Sequence, residues 1–157
     1  MKRKPIHIDY YINEDKITRV PVVTDLGILI DDKMTFSPHF DKIKSKGTKI
    51  LGFIKRRAHE FDDPYVTKKL YCAFVRPIME YGSVVWNPYE LGDIAQIESI
   101  QKQFLLYALR GLGWRTDTYS LPSYESRLKL INLETLEFRR FKTDVLFAFD
   151  LLRRNIF

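Results

Sequence analysis

Apolar and polar residues alternate from Ile6 to Asn13. Ile6, Ile8, Tyr10 and Ile12 fall on one side, and His7, Asp9, Tyr11 and Asn13 on the other, the two-residue period of a half-buried strand. Asn13, Glu14, Asp15 and Lys16 supply turn chemistry. Ile17 to Val23 is then expected to return antiparallel, with Pro21 at an edge or strand end, and Leu26 to Ile30 forms a third apolar run. Two or three strands with nothing on their apolar face are marginal by themselves. Either the helices that follow complete this sheet, or it belongs to a larger one.

From Ser37 onward the period becomes helical. Ser37 with Pro38, and again Asp63 with Pro64, pair an N-cap residue with a proline at the first helical position. In the first helix Phe40, Ile43, Gly47, Ile50, Leu51 and Ile54 share one third of the circumference at about 100° per residue. In the second, Val66, Leu70, Phe74, Ile78 and Tyr81 keep helical spacing until Pro77, which removes a backbone donor and predicts a break near Ala73 to Pro77. Val84 to Tyr89 reads as a loop held down by Trp86. A third helix is expected over Asp93 to Arg110 with Gly111 as its left-handed cap, and a short one follows Leu121, Pro122 and Ser123 through Leu130. Gly113, Trp114 and Asp117 lie in the connection between these two. Asn132 is expected to cap the last helix, whose apolar stripe is Leu136, Phe141, Val145, Phe149 and Leu152. Arg139, Arg140 and Lys142 near its start oppose the helix dipole unless an anion or an acidic neighbour offsets them. The fold class is therefore mainly α, an orthogonal bundle of four or five helices preceded by a short antiparallel β hairpin or three-stranded appendage.

Charge sharpens the picture of the first helix. The 157-residue chain carries a formal charge of +6. Between Lys33 and Arg57 eight lysines and arginines stand against one acid, Asp41. Lys42, Lys46, Lys49 and Arg56 project opposite the apolar face, with Phe53 among them. This is either a solvated surface or a polyanion-binding edge, and Phe53 is either a minor packing contact or a stacking contact to nucleic acid. The other aromatics, Phe74, Tyr81, Phe138, Phe141, Phe147 and Phe149 included, are read as mostly core.

Catalytic chemistry is expected to be absent. Asp31 and Asp32 after an apolar strand are the tempting metal pair, but a two-metal site needs a further carboxylate from a neighbouring strand, and Asp9, Glu14, Asp15 and Asp25 sit in a turn or on a different alternation. A polar strand end is the plainer reading. His7, His39 and His59 are scattered, and Cys72 is the only cysteine, so neither a metal site nor an internal disulfide is expected. No apolar run reaches the ~18 residues of a membrane span, and the first residues lack a signal peptide's apolar core. The expected location is intracellular, in nucleus or cytoplasm.

Several blocks also carry a family resemblance. Asp25 to Asp31 with its Leu26, Gly27 and Ile28, then Met34 to Phe36, His39, Leu51 to Arg56, Leu70 with Tyr71, Val75 to Trp86, Ile97 to Lys102 and Leu121 to Leu128 together resemble the region just after the catalytic palm in non-LTR retrotransposon reverse transcriptases of the jockey or LINE type. The resemblance implies that residues 1–32 are the remnant of the last palm strands and 33–157 a thumb-like helical domain. Leu26, Gly27 and Ile28 would lie near the primer grip. The partners it implies are an RNA–DNA or other nucleic-acid duplex and the missing palm and fingers of a parent polymerase, with no membrane. The polymerase's metal-binding aspartates lie upstream of anything present here, and Asp31 and Asp32 do not match them. Mg2+ is thus expected only for a complete polymerase, and this chain by itself is expected to bind template-primer backbone without catalysing. The alternative is a non-catalytic protein-interaction or scaffold domain from a decayed element.

Overall fold

The computed structural model describes residues 8–58, 63–113 and 121–154. Ile6, His7, His59, Trp114 and Asp117 fall outside them. The chain is mainly α, with two small antiparallel hairpins ahead of the helices. The first hairpin is shorter than the alternation predicts, only β1 (Tyr11–Ile12) against β2 (Asp15–Lys16). Every residue from Ile8 to Leu26 is exposed, so the alternation has no surface to pack on and the ladder stops after two pairs. The second hairpin joins β3 (Val22–Asp25) to β4 (Ile28–Asp31). Its turn is Leu26 and Gly27, both at positive φ (44° and 87°), the handedness a two-residue hairpin loop demands. Gly27 is needed for that turn.

Strand β4 passes into α1 (Ser37–Ala58) through a turn built on Asp31. Met34 and Phe36 both adopt positive φ there (55° and 57°), which is strained for residues with a Cβ. The Asp31 carboxylate holds them, accepting from the amides of Lys33 (3.1 Å), Thr35 (3.2 Å) and Phe36 (2.6 Å) and from the Thr35 hydroxyl (3.1 Å). Burial pushes this carboxyl's pKa up, but the amide bonds from Thr35, Phe36 and Lys33 outweigh it and hold the pKa below the ordinary value. A carboxyl with a depressed folded-state pKa stabilises above its unfolded value and loses that contribution as pH falls through the folded value. Asp31→Asn should therefore flatten the acid limb of a stability-against-pH curve below about pH 4. An unchanged acid limb in denaturant titrations would remove Asp31 from this role.

Helix α2 (Pro64–Leu70) starts as predicted, the Asp63 carboxylate accepting from Tyr65 N at 2.8 Å with Pro64 at the first position. It then widens into a π-helical turn, Tyr71–Val75, before α3 (Arg76–Glu80). The missing donor of Pro77 explains the break, because an expanded turn accommodates a proline ring that a regular one would clash with. The expected loop at Val84 to Tyr89 is in part α4 (Ser83–Trp86), a single helical turn entered through Gly82 at φ 65°. Trp86 is buried and donates to Tyr81 O at 2.8 Å.

Helix α5 (Leu91–Gly111) runs through the middle of the core and packs chiefly on α1. Its left-handed terminator is Gly113 (φ 83°), beyond the expected Gly111, because the helix continues one residue further. Ser123 caps α6 (Tyr124–Ile131). Asn132, expected to begin the last helix, instead ends α6 in a left-handed conformation (φ 54°) that asparagine tolerates well. Thr135 takes the capping role for α7 (Leu136–Arg153), its hydroxyl accepting from Phe138 N at 3.0 Å.

The largest departure from the sequence reading is α7 itself. Of its expected core stripe only Leu136 is buried, while Phe141, Val145, Phe149 and Leu152 point to solvent. The side that packs on α3, α4 and α5 carries Leu136, Arg140 and Asp144. Arg140 is fully buried (0% exposed), with its Nε donating to Asn87 Oδ1 at 2.9 Å. Asn87 in turn donates to Asp144 Oδ2 at 2.6 Å. Arg139 pairs with Glu80 (2.5 Å) and Lys142 with Glu134 (2.6 Å), the acidic neighbours that cations in a first turn require. Phe74 and Tyr81 are likewise exposed, as are Phe138 and Phe147.

Candidate nucleic-acid interface

Helix α1 has the two faces its periodicity predicts. Phe40, Ile43, Leu51 and Ile54 are buried and Ile50 is half-buried, and a Cβ on Gly47 would stand 2.7 Å from Met79 Cε, so glycine permits the close approach of α1 to α3. Opposite them Lys42, Lys46, Lys49 and Arg56 are exposed. Among the described residues no acid pairs with Lys46, Lys49 or Arg56. Phe53 stands between them at 56% exposure, the Arg57 guanidinium 5.9 Å from its ring centroid. Lys44 and Lys55 flank the apolar side and are half-buried. Burial, and then the nearby Arg110, hold the Lys55 pKa below its ordinary value.

The hairpin tip is brought against the start of this face. Lys42 Nζ donates to Gly27 O at 3.0 Å, and the Tyr81 hydroxyl donates to Leu26 O at 3.0 Å. Ile28 is buried, and a Cβ on Gly82 would come within 2.8 Å of its Cδ1. A cleft of about 330 Å³ opens between the tip and the helices, lined by Gly27, His39, Lys42, Lys46, Ile78 and Tyr81 among others. Buried His39 accepts from Leu29 N at 3.3 Å through Nδ1 and packs its ring 5.2 Å from Trp86, so it fastens β4 to α1. Burial and then Lys42 hold its pKa below the ordinary value, which keeps the ring neutral.

The helical spacing reads Tyr81 as core, whereas it is exposed and its hydroxyl reaches the hairpin tip. Its hydroxyl, at the end of a helical apolar series just before Gly82, was the available signal. Also missed was a buried polar cluster on α5. The Glu98 carboxylate accepts from Leu136 N (3.1 Å), Glu137 N (3.3 Å), Gln101 Nε2 (3.3 Å) and the Tyr124 hydroxyl, while the Tyr71 hydroxyl donates to Gln101 Oε1 at 2.9 Å. Burial, followed by Glu98, pushes both tyrosine hydroxyls above their ordinary range. This cluster satisfies the open amides at the start of α7 and is structural. Among the described residues no three His, Cys, Asp or Glu side chains are grouped as metal ligands would be, and no helix is long and apolar enough to cross a membrane.

The fold and this face define a mainly α module with a basic helix surface beside a pinned hairpin. An uncharacterized protein of Caenorhabditis elegans is 28% identical to the chain over 122 residues, 75% of this chain and 57% of the relative. The chain thus spans a little over half of that relative's length. No family model and no solved structure matches.

Proposed function

We propose that this chain is a thumb-like helical module that holds an RNA–DNA or other nucleic-acid duplex by its phosphates, with any polymerase chemistry supplied by a palm and fingers outside it. The observation that carries this reading is the outer face of α1, where Lys46, Lys49 and Arg56 are exposed and, among the described residues, have no acidic partner, on a helix whose other face is core. A rigid helix presents these cations at fixed spacing, which suits a backbone of regularly spaced charge. Phe53 offers an apolar surface beside them for a base or sugar. Leu26 and Gly27, at the tip that Lys42 and Tyr81 hold, would meet the primer end. Such contacts position a duplex without reading its bases, so little sequence preference is expected. Mg2+ would be held by a complete polymerase and has no ligands in this reading.

If Lys42, Lys46, Lys49 and Arg56 all meet phosphates, log K for an RNA–DNA hybrid should fall with log salt at a slope of roughly −3 to −4. A mobility-shift series in increasing salt measures it. No retention of hybrid at low salt would end the proposal. The outward apolar side of α7 favours a second reading, a protein-interaction module, and that reading predicts a partner that binds regardless of salt.

A further inference from the structure

Helix α7 is inside out. Phe138, Phe141, Val145, Phe149 and Leu152 are between 49% and 68% exposed. At 100° per residue they fall within about 80° of one another. The body-facing residues Leu136, Arg140 and Asp144 are centred about 140° further round the helix, so the stripe looks out to solvent. Phe138 and Phe141 stack on each other with centroids 6.5 Å apart, while no other described element covers the stripe.

We propose that this stripe is a dimer interface that pairs with α7 of a second copy, antiparallel, about a two-fold axis at Val145. The spacing carries the choice of occupant. Phe138 and Phe141 precede Val145 by seven and four residues, and Phe149 and Leu152 follow it by four and seven. A two-fold axis at Val145 therefore lays the stripe on itself, with Phe138 opposite Leu152 of the second copy, Phe141 opposite Phe149, and Val145 opposite Val145. Such a self-complementary patch is what an isologous contact requires. Val145 is the smallest of the five, so the helices can approach closest where they cross. The stripe itself contains no charged residue; Lys142, at its edge with its ammonium 5.1 Å from the Phe138 ring centroid, is already paired with Glu134.

The size of the patch sets the strength. With aromatic side chains burying 150–250 Å² each, these five half-exposed residues would bury about 500 Å² per copy, or about 1,000 Å² in total, at the lower edge of a specific interface. A dimer that forms and dissociates at micromolar concentration follows.

Sedimentation velocity from about 1 to 100 µM should show the wild-type chain passing from monomer to dimer, and Val145→Asp remaining monomeric with unchanged helicity. In a Cys72→Ser background, mild oxidation should link Val145→Cys into a symmetric disulfide dimer and leave Thr143→Cys, exposed but about 160° away round the helix, unlinked. A wild-type chain that stays monomeric throughout, a Val145→Asp dimer, or equal cross-linking at both positions would overturn the proposal. The cross-linking experiment does not depend on the aspartate variant folding. None of these outcomes depends on nucleic-acid binding.

Discussion

Reversing Lys46, Lys49 and Arg56 to glutamate should lower affinity for an RNA–DNA hybrid by at least about 100-fold near 0.1 M salt and reduce the salt slope by about three. All three stand on the solvent side of α1 and pair with no acid among the described residues, so the variant should fold with unchanged helicity and thermal midpoint. Lys42 is left in place deliberately. Its ammonium donates to Gly27 O, and a glutamate there would disturb the hairpin tip as well as the charge, confusing a binding defect with a structural one. A companion variant carrying Lys129→Glu and Arg153→Glu, exposed cations on other helices, separates the α1 face from overall charge: its loss should be small. Equal losses in the two variants would mean that affinity follows net charge, and the assignment of the α1 face would fall. Phe53→Ala adds a further readout, since loss of an aromatic contact weakens binding without changing the salt slope.

The second large effect is on stability. Glu98→Ala should destabilise the fold by about 3 kcal/mol or more, because the Leu136 and Glu137 amides and the Tyr124 hydroxyl would lose their common acceptor in a buried setting. Glu98→Gln keeps a carbonyl acceptor and should cost less. Glu137→Gln, on the exposed side of the same helix start, should change stability by under about 0.5 kcal/mol. Urea unfolding monitored by circular dichroism gives all three values. The tyrosines offer an independent reading: with Glu98 removed, the Tyr124 hydroxyl should titrate closer to its ordinary value, since Glu98 is among the causes that raise it. If Glu98→Ala unfolds within 1 kcal/mol of wild type, the carboxylate is not the keystone of the α5 and α7 junction.

The two faces of helix α1 were legible in the sequence, though not its start: Ser37, expected as the N-cap, is already helical, and Phe36 O accepts the first helical bond. Its period separates the faces, and both the core positions and the basic positions lie where 100° per residue puts them. The break ahead of Pro77 was legible for the same local reason, since a proline's missing donor acts within one turn. The hairpin tip was legible only as a turn. What fixes it, the Lys42 and Tyr81 contacts, comes from 15 and 55 residues further along the chain. Glu98 and Gln101 left a faint mark that could have been used, two polar residues one helical turn apart and adjacent to Ile97 and Ile100 on a core-facing stretch.

Helix α7 was misread because periodicity finds a stripe but does not say which way it faces. Its local pattern calls for the phenylalanines to be inside. The direction is decided by Glu80, Asn87 and Glu98, residues on three other elements that meet Arg139, Arg140, Asp144 and the helix's first amides.

That arrangement sets the hydrophobic effect against the hydrogen bonds in fixing the rotation of α7. Rolled by about half a turn, it would hide three phenylalanines and expose Arg140 to water, an exchange that the hydrophobic effect alone favours. The observed setting is held by hydrogen bonds and by the pairing of Arg139 with Glu80, contacts that are directional and fail together when the helix turns. Asn87 is the narrowest point of this lock, since its single amide engages Arg140 with the oxygen and Asp144 with the nitrogen. The chain has in effect traded a better-buried core for an apolar stripe left outside, and it keeps that stripe outside through a side chain that never touches it.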